Sequence, residues 1–125
     1  MMSDLEPYLK STLYLDGMIS RNLKRQVLTS LGIEPSGDEV PMYEFYGFVN
    51  GRPCTIIMTN KRMIVMYHLP GSPKVATFEY CEWNWVGSKK KSKFVKVVLS
   101  KGDTKIVVAT KAANLVFLEK FKECS

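Results

Sequence analysis

With 125 residues, 46% hydrophobic and 24% charged, the chain has the size and balance of one globular domain that buries a core without metal or disulfide support. Its net charge of +6 is lopsided: ten lysines face three acids after residue 86, while the first 86 residues carry eight basic and nine acidic side chains. No apolar run approaches the roughly 20 residues of a membrane-spanning helix, and the start Met-Met-Ser-Asp-Leu-Glu-Pro lacks the basic and apolar stretches of a secretory signal, so a cytoplasmic protein is expected.

Two helical segments open the chain and form an N-terminal extension over 1–34. The first covers roughly 3–14, with Pro7 in its first turn. In the second, Asp16 is the expected N-cap and Gly32 the stop, and Ile19, Leu23, Val27 and Leu31 recur every four residues as an apolar stripe. Arg21, Lys24 and Arg25 lie off that stripe and are candidates for a partner-binding face. The simpler reading is a helix packed on the rest of the domain. The run G-I-E-P-S-G-D-E-V-P, 32–41, is a connector.

Strands follow. Tyr43 to Val49 leads into Asn50-Gly51, the pair that most readily makes a tight hairpin turn, and Cys54 to Met58 is the return strand. After the turn at 59–62 come Met63 to Tyr67, Val75 to Tyr80 and Glu82 to Val86. A lysine-rich loop is expected next, then Phe94 to Ser100 and Thr104 to Thr110. In the first of these, Val95, Val97 and Leu99 alternate with Lys96, the mark of a sheet with one buried face. The chain ends in a helix with Ala113, Phe117, Phe121 and Cys124 on one face and Val116 beside them. The expected class is α+β: seven antiparallel strands, strongly bent, with the C-terminal helix plugging the open end.

The segment C-T-I-I-M-T-N-K-R-M-I-V-M-Y (54–67), the strand A-T-F-E-Y (76–80) and the helix after Thr110 resemble the bacterial pleckstrin-homology-like (PH-like) domains. The resemblance covers about Tyr43 to Glu123, within an expected PH-like domain over 42–125. It implies a seven-stranded β-barrel or sandwich capped by a helix, working as a binding scaffold for proteins, peptides or phosphoinositides and often self-associating into homo-oligomers. Phosphoinositide-binding relatives carry several basic residues around the first hairpin loop; here that loop holds Arg52 alone.

Catalytic chemistry needs an activated nucleophile or a placed acid-base pair. The sole histidine, His68, could reach Cys54 or Cys81 only across a sheet and reads as an ordinary half-buried imidazole. No phosphate-binding glycine loop, metal-ligand cluster or cofactor motif occurs, so no enzyme, metal or cofactor is expected. The three cysteines form no CxxC pair and are expected to be reduced.

The sharpest cluster is W-N-W-V-G-S-K-K-K-S-K. Trp83 and Trp85 share one strand face, and a small core already holding Phe45, Phe78 and Phe94 has limited room for both. If one is exposed, it and Lys89, Lys90, Lys91 and Lys93 form an anchor suited to an anionic membrane or to nucleic acid. The plainer reading is core tryptophans and a solvated loop, with the lysines keeping edge strands from pairing. The function expected is a non-enzymatic module that binds, and so regulates or inhibits, a protein partner; anionic lipid and nucleic acid are the alternatives.

Overall fold

The computed structural model describes residues 20–34, 37–69 and 74–123. The first expected helix, Asp16, Ile19 and Cys124 therefore lie outside the described residues. Helix α1 spans Arg21–Ser30, and its N-cap is Ser20, whose hydroxyl accepts the Leu23 N–H at 3.2 Å. Gly32 ends it as expected, at φ +82°. Its N–H donates to the Thr29 carbonyl, the Ile33 N–H donates to that of Leu28, and the Leu28 and Ile33 side chains are buried together. That pairing of two hydrogen bonds with an apolar contact is a Schellman stop.

Seven strands follow: β1 (Pro41–Val49), β2 (Arg52–Thr59), β3 (Arg62–Tyr67), β4 (Lys74–Glu79), β5 (Asn84–Lys91), β6 (Phe94–Lys101) and β7 (Thr104–Lys111). All pair antiparallel in the order β4-β3-β2-β1-β7-β6-β5. Strands β4 and β5 are edges, so the sheet is not closed. Asn50 and Gly51, at φ 52° and 81°, make the expected tight turn between β1 and β2. The join between the two halves of the sheet rests on Gly47: a Cβ there would lie 2.7 Å from the Ala109 carbonyl oxygen, so any other residue would hold β7 away from β1.

The inner face carries Phe45, Ile56, Met58, Val65, Val97 and Leu99 in one buried cluster shared by both halves, closed by Leu118 and Phe121 of the C-terminal segment. That segment is not one continuous helix. A 3₁₀ turn at Ala112–Asn114, the short helix α2 (Leu115–Leu118) and a 3₁₀ turn at Glu119–Lys122 succeed one another. In 3₁₀ geometry residues three apart lie over one another, so Leu115, Leu118 and Phe121 face the core. The expected four-residue phase holds for Phe117, whose ring stacks on Tyr43 with centroids 4.0 Å apart, and for Phe121, and fails for Ala113 and Val116, which are exposed.

On the outer face, α1 covers β2 and β3. Val27, Leu28 and Ile33 bury against Ile57, Ile64 and Met66, with Leu23 and Leu31 at the margin. The stripe thus packs on the sheet, the simpler of the two readings. The Thr-Asn-Lys-Arg turn latches this layer. The Thr59 hydroxyl accepts from the Lys61 and Arg62 N–H groups, and Arg62 holds Glu39 and the Leu31 carbonyl at 2.8–3.1 Å.

Two expectations about charge and sulfur are corrected. Lys24 does not present its ammonium to a partner: Nζ lies 2.6 Å from Glu44 Oε2, both side chains 0% exposed. Helix burial on β1 forces that pairing, because an ammonium out of water requires a counter-charge. Arg25 donates to Asn22 Oδ1 at 2.9 Å and remains partly exposed; Arg21 opens the helix. The cysteines are not all reduced either. Cys54 is a buried free thiol, whereas Cys81 is disulfide-bonded. No helix among the described residues is long and apolar enough to cross a membrane.

Candidate interaction surface

The tryptophan and lysine cluster divides between two faces of the sheet. Residues directly opposite in an antiparallel pair project to one side. Trp85 pairs with the buried Leu99, so its ring turns inward. Trp83 meets Phe78 edge-on with centroids 5.1 Å apart, Lys122 Nζ sits 4.8 Å from the Trp85 centroid, and both indoles pack on the inner core. Neither is the exposed anchor that a membrane role would need.

The lysines also differ from expectation. Lys89, Lys90 and Lys91 belong to β5, and the loop shrinks to Ser92-Lys93, with Ser92 at φ 58°. A run of lysines has no alternation to announce a strand; what makes it one is pairing with the strongly alternating β6. Lys90 pairs with buried Val95 and so lies on the inner side at the sheet edge. Lys91 pairs with Phe94 and Lys89 with Lys96, which places all four on the outer face.

Phe94, expected in the core, is 57% exposed, and Phe48 is 50% exposed. Both belong to the half of the outer face that α1 leaves uncovered. In register, Lys96 pairs with Ala109 and Ala109 with Phe48, while Phe94 pairs with Lys111. These side chains, with Tyr46 and His68 at the far side, line an apolar groove of about 510 Å³. Lys89, Lys91, Lys96 and Lys111 stand around it, and among the described residues none of the four is in an ion pair. The sequence hid this groove because its residues come from four strands, although Phe48 and Phe94 betray themselves by falling out of phase with the inward residues Val49, Val95 and Val97.

His68 closes one end. Its Nε2 lies 2.7 Å from the Thr55 hydroxyl, and Tyr46 meets its ring edge-on with centroids 5.8 Å apart. Burial, and then the charge of Lys24, lower its pKa, so the imidazole is neutral at neutral pH. Cys54 donates its thiol to the Gly47 carbonyl at 3.4 Å, and burial pushes its pKa up to about 12. The two side chains make no nucleophile and base pair: one serves Thr55, the other is a protonated core thiol.

A second hollow of about 360 Å³ lies beside the first hairpin turn, lined by Asn50, Arg52, Tyr67 and Lys74. Lys74 joins Arg52 there from β4, a neighbour that reading the hairpin loop alone did not find. Among the described residues no group of three or more His, Cys, Asp or Glu side chains could hold a metal ion.

Neither a family model nor any curated protein sequence matches this chain.

Proposed function

We propose that this chain is a PH-like interaction module, without catalytic chemistry of its own, that binds a protein partner through the uncovered outer face of β1, β7, β6 and β5. The observation that carries this reading is the exposure of Phe48 and Phe94 in one lysine-ringed groove. Exposed phenyl rings cost solvation unless something covers them, and a clustered apolar patch with a polar rim is the usual anatomy of a contact surface. The chemistry selects a partner segment with one or two large apolar side chains flanked by Asp or Glu. Strand order and the C-terminal helical plug support the PH-like sandwich. The inward tryptophans leave the anionic-membrane alternative without its anchor, while nucleic acid would have to stack on Phe48 and Phe94.

The test compares proteins captured from nuclease-treated extract by the wild-type chain and by Phe48→Ser/Phe94→Ser. Both positions are exposed, so the melting temperature should stay close to wild type. Loss of a specific captured protein from the double variant is expected. Identical capture would reject the groove, and binding confined to untreated extract, falling steeply with salt, would replace the partner by nucleic acid.

A further inference from the structure

We infer that the groove's resident occupant is the chain's own N-terminal segment, residues 1–19, which a partner must displace. This rests on the groove being the contact surface proposed above.

Ser20 caps α1, and the first turn of that helix is fixed on β1 by the Lys24 to Glu44 ion pair. Glu44 is two residues from Tyr46 along the same strand and on the same outer side, and Tyr46 lines the groove. The charge of Lys24 is felt at His68, the other residue at that end. Ser20, where the described residues begin, therefore stands beside the groove rather than across the molecule from it.

Reach and composition agree. From β1 to β5 the uncovered face is three strand spacings, about 14 Å. Helical over 3–14, as its sequence predicts, the segment would be about 18 Å long. Residues 15–19 supply a tether of up to about 17 Å when extended. Within the segment Leu5, Leu9 and Leu13 recur at four-residue spacing with Tyr8 beside them, an apolar stripe for Phe48 and Phe94. Its charges are Asp4, Glu6 and Asp16 against Lys10, net −2, opposite in sign to the rim of Lys89, Lys91, Lys96 and Lys111. A tethered segment meets the groove at high effective concentration, so weak contacts suffice to hold it. A partner then binds with an affinity reduced by the fraction of time the groove is open.

The experiment places a photo-crosslinking p-benzoylphenylalanine at Phe94 in the full chain and maps the adducts by mass spectrometry. Adducts joining position 94 to residues within 1–19, in species of monomer mass, are expected. Leu9→Asp/Leu13→Asp should cut their yield at least about tenfold, the scale set by losing two buried leucines. No adduct within 1–19, or adducts confined to species of dimer mass, would overturn the inference. Partner capture by the double aspartate variant separates the two ideas. If capture still depends on Phe48 and Phe94 but is no stronger than wild type, the resident-segment inference fails and the groove stands. If adducts form within 1–19 while capture ignores the groove, the partner reading fails.

Discussion

His68 is held neutral by its surroundings, and the consequence has a sign. The folded chain binds the imidazole proton less tightly than the unfolded chain does, because burial and the Lys24 charge oppose imidazolium. Below the unfolded value of about 6.5 the unfolded state takes up more protons, so acid draws the equilibrium towards unfolding. The stability tied to the neutral ring is present at neutral pH and declines as pH falls through about 6.5 towards the lower folded-state value. Urea midpoints should drop between about pH 7.5 and about pH 5.5 for the wild type, and drop less for His68→Gln. Equal drops in the two proteins would acquit His68. Since the same ring closes one end of the groove, acid would alter that end of the contact surface as well.

At the scale of elements, the features legible in the sequence were those with a steric cause. Asn50-Gly51 and Gly32 need positive φ and were found where expected. The alternation of β6 revealed its buried face. Illegible features depended on neighbours distant in sequence: the lysines became strand through pairing with β6, and the C-terminal helix gave way to 3₁₀ turns at both ends while keeping Phe117 and Phe121 on the core. Lys24 belongs to the second kind. On a helical wheel it falls within about 20° of Leu31, on the apolar side, but only the sheet supplies Glu44, the carboxylate that meets its ammonium out of water. Lys24→Ala removes the ammonium from a fully buried carboxylate and should cost about 3–5 kcal/mol of stability. The double change Lys24→Met/Glu44→Leu keeps volume without charge and should recover most of that loss in urea denaturation. A double variant as unstable as Lys24→Ala would mean that the carboxylate serves the fold beyond this pair.

For the whole molecule, one sheet separates two environments. Its inner face is closed by the C-terminal segment, and its outer face is half covered by α1, the other half, with Phe48 and Phe94, being left uncovered by the described residues. Of the expected barrel or sandwich, the sheet does not close into a barrel, and its β5 edge carries Lys89, Lys90 and Lys91, a known deterrent to edge pairing between chains. The disulfide at Cys81 suits an oxidising environment better than the cytoplasm expected from composition. With three cysteines and one disulfide, the denatured, unreduced chain should titrate one thiol, that of Cys54, and three after reduction. Three thiols without reductant would show that the bond does not form in the isolated protein.

Four of the hairpins turn in two residues, at 50–51, 60–61, 92–93 and 102–103. Binding proteins commonly diversify by lengthening loops while the scaffold stays put. Here those four loops offer almost nothing to lengthen. A lineage built on this sheet would change its preferences by substituting every second strand residue on the outer face, at positions such as 48, 94 and 96. The alternate positions, occupied by Val49, Val95 and Val97, would stay constant because they are the core. Inheritance of fold and divergence of specificity would thus be interleaved along the same strands, residue by residue.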